Sequence, residues 1–254
     1  MIDLFPMKMF GQNRMIRVYL PPAYARSEKS YPVLYVHDGQ NVFSDSTAVG
    51  GGVSLNLEEF LDRNEYGLIV AAIDLNTAGE ERIHELCPWK CGHFCAEVLG
   101  QPSSAGGKGE AYLDFIVNEL KPALDRLYRT DSERSYMAGI SLGGSFTVYA
   151  ACRYPDIFKR AAGLSSGFYR NQEELENLIE SADLSGMERL YLDCGTNENP
   201  DIRIRESFLE SNKRIFQKLD GKVQNQRFSI IPDGIHHYSS FRSRFPEVLD
   251  YLLK

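Results

Sequence analysis

Residues 137–145 read MAGISLGGS and contain Gly139-Ile140-Ser141-Leu142-Gly143, a G-x-S-x-G pattern. A serine hydroxyl is a weak nucleophile at neutral pH. It needs a base to take its proton, and that base needs a carboxylate to orient it. The pattern also arises by chance in Gly/Ser turns, so its setting decides its weight. Here an apolar run precedes it and a helical pattern follows. A strand-to-helix turn this tight leaves no room for side chains beside the serine, which explains the flanking glycines, and it projects the Ser141 hydroxyl outward.

The partners must come later in the chain, in the order serine, acid, histidine. RLYLDCGTNENPD (189–201) reads as a strand running into a loop. It offers Asp193 inside the strand pattern, and Glu198 and Asp201 beyond it. RFSIIPDGIHH (227–237) is a strand followed by two adjacent histidines, His236 and His237. An oxyanion formed at the reacting carbonyl needs two N–H donors. One is expected from Leu142, directly after the nucleophile. The other is expected from the loop in PVLYVHDGQN (32–41), where Gly39 permits close approach and the Gln40 N–H points inward.

The elements that hold these residues follow from apolar periodicity. Runs at 15–20, 32–37, 68–74, 135–140, 160–166, 189–195 and 227–233 read as strands, several of them apolar throughout. Such runs suit parallel strands covered on both faces. Helical spacing appears at 57–64, 111–128 (with Pro122 as a kink or boundary), 144–155, 206–220 and from the Ser239/Ser240 region to Leu252. Alternation from end to end predicts an α/β fold in one domain spanning 1–254, a mostly parallel central sheet with helices on both faces. Residues 75–110 are the one long irregular stretch, and a loop of that length is more often functional than idle.

Composition bounds the partners. The balance of 28 basic and 35 acidic residues gives a net charge of −7 without a dense Lys/Arg run, which argues against nucleic acid or an anionic membrane. The N-terminus lacks the apolar core of a signal peptide, and no stretch approaches 18 apolar residues. Five cysteines, an odd number, fit free thiols in a reducing compartment, so a cytoplasmic location is expected. The sequence leaves oligomeric state open.

Taken together, RVYLPPAY (17–24), YPVLYVHDGQNVF (31–43), FIVNELKPALDRLYRT (115–130) and the triad segments resemble the esterase D-like putative esterase family of α/β hydrolases. Feruloyl and acetyl-xylan esterases, S-formylglutathione hydrolases, siderophore trilactone esterases and mycolyltransferases belong to it. The resemblance covers nearly the whole chain. It places Gln40 at the second oxyanion donor and Glu198, in GTNE, at the triad acid, leaving Asp201 as the alternative. The family's G-x-H-x-W pattern is matched by Gly234-Ile235-His236-His237-Tyr238 with His236 as base and Tyr238 in place of Trp. The resemblance also marks an Arg-x-x-Glu pair, here Arg82 and Glu85, and with Asn41, Tyr112 and Tyr238 these are the implied substrate contacts.

CPWKCGHFC (87–95) gathers Cys87, Cys91, His93 and Cys95, enough donors for a tetrahedral zinc. The C-x₃-C-x₃-C spacing lacks the usual C-x₂-C knuckle, so free thiols and no metal are expected. Trp89 in this stretch is expected to line the pocket. The implied function is a cofactor-free serine carboxylesterase acting on a short acyl ester of a polar alcohol, a small molecule or a carbohydrate. A thioesterase or acyltransferase is the alternative, and a non-catalytic binding protein of the same fold stands behind both.

Overall fold

Strands that are apolar on both faces demand cover on both faces, and the computed structural model, which describes residues 1–49 and 51–254, supplies it. The first half of the chain forms β1 (Ile2–Met9), β2 (Gln12–Tyr19), β3 (Tyr31–His37), α1 (Leu57–Asn64), β4 (Ile69–Ile73), α2 (Glu81–Leu86), α3 (His93–Leu99), α4 (Gly109–Phe115) and α5 (Lys121–Leu127). Then follow β5 (Thr130–Ile140), α6 (Leu142–Arg153), β6 (Phe158–Leu164), α7 (Gln172–Ser181), β7 (Arg189–Asn197), α8 (Ile202–Leu219), β8 (Asn225–Ile235) and α9 (Tyr238–Leu253). The strands make one sheet in the order β1-β2-β4-β3-β5-β6-β7-β8. Pairing is antiparallel from β1 through β2 to β4 and parallel from there on.

Central β3 and β4 are buried at every residue, which is why they read as unbroken apolar runs. One face is covered by α1 and α9 through Leu57, Leu61, Phe245, Val248 and Leu249. The other is covered by α4 to α8 through Tyr112, Leu124, Phe146, Leu175 and Ile215. The sequence reading passed over β1, an alternating edge strand interrupted by Pro6, which a sheet edge tolerates because proline donates no ladder bond. Pro122 has the same deficit inside a helical run. The chain accommodates it with a π-helical turn at Ile116–Leu120 and restarts α5 with the proline in its first turn.

Two expectations need correction. Residues 75–110 are not irregular, since they hold α2, α3 and the start of α4. Nor are the cysteines all thiols, because Cys91 and Cys95 form a disulfide across the start of α3. Cys87, Cys152 and Cys194 are free and buried. The odd count thus gives no argument for a wholly reduced protein. Among the described residues no group of three or more His, Cys, Asp or Glu side chains converges as a metal site. No described helix is long and apolar enough to cross a membrane.

The turn from β5 into α6 is closed so tightly that a Cβ on Gly139 would lie 2.2 Å from the Gly143 carbonyl group. Gly139→Ala is therefore expected to lower the unfolding free energy by about 3 kcal/mol or more, measured by urea unfolding. An unchanged midpoint would contradict this packing.

Candidate active site

Strands β3, β5, β6, β7 and β8 run parallel, so the segments leaving their carboxyl ends meet along one edge of the sheet. Ser141 occupies the turn between β5 and α6 with φ +59° and ψ −122°, outside the regions L-residues favour. Four backbone bonds hold it there. Its N–H donates to the Leu164 carbonyl at 2.9 Å, and its own carbonyl accepts from Gly144 at 3.0 Å, Ser145 at 3.2 Å and Gly167 at 2.9 Å. Ser141 is thus clamped between its own helix and the loop after β6. Leu142 begins α6, where a helix N–H has no acceptor within the helix.

Glu198 lies just beyond β7, its side chain only 1% exposed. One carboxylate oxygen, Oε1, accepts the Gly195 N–H at 2.6 Å and the Ser165 hydroxyl at 2.5 Å. The other, Oε2, is 2.6 Å from His236 Nδ1. This return of the side chain onto its own strand needs Gly195. A Cβ there would lie 2.5 Å from Glu198 Oε1 and 2.2 Å from the Gly234 carbonyl oxygen. Burial pushes the Glu198 carboxyl up, but the hydrogen bonds from His236 and Ser165, the His236 charge and the Gly195 N–H together hold it below its ordinary value. Asp201 does other work: it caps α8, with Oδ1 accepting the Arg203 N–H at 2.9 Å.

His236 follows β8 with its ring edge-on to Phe208 and Phe241, at centroid distances of 5.5 and 5.4 Å. The carboxylate and the two rings leave the imidazole one orientation. His237, unassigned from sequence, caps α9, with Nδ1 accepting the Ser239 N–H at 3.2 Å. Both histidines and Ser141 line one cavity of about 300 Å³.

Gln40, Asn41, Arg82 and Tyr238 also line this cavity, as do Asp38, Thr77 and Phe241, which sequence reasoning did not single out. The Gln40 amide clamps the β3 loop to the segment after β4, donating to the Leu75 carbonyl at 2.8 Å and accepting the Leu75 N–H at 3.0 Å. Gly39 makes that approach possible, since a Cβ on it would lie 2.8 Å from the Asp74 nitrogen. Among the described residues, no turn, loop or side-chain hydrogen bond uses the N–H of Gln40 or Leu142. Asn41 donates to the Tyr238 hydroxyl at 3.1 Å, joining the β3 loop to the start of α9.

Arg82 and Glu85 do not pair with each other. Arg82 makes a two-pronged bond to Asp38, at 2.7 and 2.9 Å, on the cavity wall. Glu85 is 1% exposed and bound by Arg14 at 2.7 and 2.8 Å, away from the cavity. Tyr112 is likewise a core residue, bonded to His37 Nδ1 at 3.0 Å, and burial pulls that imidazole down to about 4. Trp89 packs edge-on against Tyr149, with its main chain held by Asn171, in a separate crevice. The distinction between these inward and cavity-facing side chains depends on helix phase, which the apolar pattern does not reveal within 75–110.

A family model described as "Putative esterase" matches residues 7–252. The uncharacterized protein YbbA of Bacillus subtilis is 27% identical over 246 residues, covering 94% of this chain and 92% of that protein. An IroE-like serine hydrolase from Shewanella oneidensis superposes with a TM-score of 0.78 at 19% identity, over 99% of this chain and 79% of its own. The siderophore hydrolase EstA from Aspergillus nidulans superposes with a TM-score of 0.77 at 19% identity, over 98% and 94%. The sheet order and these superpositions make the fold that of the α/β hydrolases.

The lowered Glu198 value has a consequence for acid stability. A carboxyl whose folded value lies below its unfolded one adds stability above the unfolded value, roughly pH 4. It loses that stability as pH falls through the folded value. Asp193, pushed up to about 6 by burial against the pull of Arg244, has the opposite sign: its contribution is full below about pH 4 and is lost as pH rises through about 6. Glu198→Gln is therefore expected to flatten the loss of stability below about pH 4. Urea unfolding at a series of pH values measures this, and an unaltered acid slope would contradict the assignment.

Proposed function

This chain belongs to the putative esterase family, and on that premise we propose that it is a serine carboxylesterase working through an acyl-enzyme. The observation that carries the reading is the 2.6 Å contact between Glu198 Oε2 and His236 Nδ1, with His236 and Ser141 on the wall of one cavity. With Nδ1–H given to the carboxylate, Nε2 is left as the base. It takes the Ser141 proton as the oxygen attacks the ester carbonyl, and the oxyanion settles against the N–H groups of Leu142 and Gln40. Protonated His236 then delivers that proton to the leaving alcohol. In the second half it takes a proton from water, which attacks the acyl group on Ser141 and frees the acid. No cofactor enters any of these steps.

The cavity favours a small ester with a polar alcohol. Its volume of about 300 Å³ suits a short acyl chain better than a lipid tail. The Arg82–Asp38 pair and the Tyr238 hydroxyl, whose oxygen already accepts from Asn41 and whose proton is free to donate, offer polar contacts. A carbohydrate or another polyhydroxylated small molecule is the proposed leaving group. The siderophore hydrolase among the structural relatives makes a siderophore a useful comparison substrate in the same assay.

Two variants separate the histidines. His236→Ala is expected to lower hydrolysis of p-nitrophenyl acetate by about 10⁴-fold. His237→Ala should retain most of the rate and cost about 1 kcal/mol of stability through loss of the α9 cap. A fluorophosphonate should attach once, at Ser141, as read by peptide mass spectrometry. Full activity in the His236 variant, or an active protein unlabelled at Ser141, would overturn the reading.

A further inference from the structure

We propose that Ser165 and Arg244 are positioning residues of the triad: Arg244, fastened to Asp193, aims the Ser165 hydroxyl at Glu198 and so dedicates the opposite carboxylate oxygen to His236. This rests on the function proposed above.

The direction of each bond follows from elementary donor chemistry. Arg244 Nη2 lies 2.6 Å from Ser165 Oγ. A guanidinium only donates, so Ser165 Oγ must accept from it. The single hydroxyl proton is then free for Glu198 Oε1 at 2.5 Å. With that proton and the Gly195 N–H both on Oε1, Oε2 is left to receive His236 at 2.6 Å. The chain of contacts Arg244–Ser165–Glu198–His236 therefore runs in one sense only.

Arg244 is itself held from three sides. Nη2 is 3.1 Å from Asp193 Oδ1, Nε is 2.9 Å from Asp193 Oδ2, and Nη1 donates to Ser240 Oγ at 2.9 Å. Its guanidinium also lies over the Phe241 ring, the same ring that meets His236 edge-on. Asp193 in turn accepts the Ser165 N–H at 3.1 Å. Ser165 adopts φ +43°, a left-handed conformation that a serine rarely takes. Ser165 and Asp193 are 0% exposed and Arg244 is 7% exposed. A buried ion pair on its own would only fasten α9 to β7. The hydroxyl placed between that pair and the triad acid, in a strained backbone, is what an ion pair alone does not require.

The ionisable groups around this chain of bonds are Asp193, Tyr191 and Cys194 on β7, Arg244 on α9, Lys213 on α8, whose charge reaches Cys194, and His237 beside the base. Ser165→Ala removes one donor from Glu198 and leaves all of these in place. With p-nitrophenyl acetate as probe, kcat/KM is expected to fall roughly tenfold, mostly in kcat. Charge then concentrates on the oxygen facing His236, so the acidic limb of the kcat/KM profile should move to higher pH by about half a unit. In a Glu198→Gln background the same substitution should change the rate by less than about twofold, because its effect passes through that carboxylate. Arg244→Lys should keep more activity than Arg244→Met.

An NMR measurement reads the contact without turnover: the His236 Nδ1 proton resonance should shift in Ser165→Ala and in Arg244→Met. A folded Ser165→Ala with the parental pH profile and resonance would overturn the proposal, as would an equal loss in the Glu198→Gln background. If Ser165→Ala does not fold, an unshifted resonance in Arg244→Met overturns it and a shifted one supports it. Full activity in Glu198→Gln would instead sink the functional reading on which this one stands.

Discussion

A carboxylate removed from water must find donors that replace it, and the arrangement of this site depends on how Glu198 does so. Three donors from three places serve it: the backbone of its own strand, a serine after β6 and a histidine after β8. Each imposes a condition on the chain. The backbone donor requires Gly195, with no Cβ to obstruct the returning side chain. The histidine requires β8 to come within contact of β7's end, where Gly234 passes Gly195 and the strand register shifts between Gly195 and Asn197. The serine requires a positive φ at Ser165.

Strain collects along this edge of the sheet. Asp38, Ser141, Ser165 and Asp233 all have positive φ, and each stands in or beside a segment that shapes the site. Such conformations cost of order 1–3 kcal/mol each and persist only where the surroundings over-determine them. Those surroundings are rigid. Helix α6 is buried along most of its length between the sheet and the covering helices, and Ser141 is bonded on both sides of its peptide. Ser141, the proposed nucleophile, therefore sits in a strained turn between well-packed elements, an arrangement that would hold a reacting atom in place without reorganisation.

Much of this was legible in the chain. Gly139-x-Ser141-x-Gly143 announced its turn because a collision-free elbow admits almost no other residues, and the apolar runs of β3 to β7 announced a sheet covered on both faces. His236 and Glu198 followed from chain order and from the resemblance, with local spacing as the guide. What stayed hidden was of another kind. Ser165 reaches Glu198 from 33 residues away in sequence and Arg244 reaches Ser165 from 79, and a buried arginine on an amphipathic helix looks like any solvated one until the helix phase is known. The same phase problem concealed the inward turn of Glu85 and Tyr112. Pairing of Cys91 with Cys95 was hidden because a spacing of four suits a disulfide only once the backbone between them is known to bend, as it does at Gly92 before α3.

The central claim is that Ser141 carries the acyl group during turnover, activated by His236 that Glu198 holds in place. Rapid-quench mass spectrometry of the protein during steady hydrolysis of p-nitrophenyl acetate tests it most directly. One acetyl group should be found on the peptide bearing Ser141, should appear within the first turnover and should decay when substrate is exhausted. Sustained hydrolysis with Ser141 unmodified, or with the acetyl group on another residue, would contradict the account.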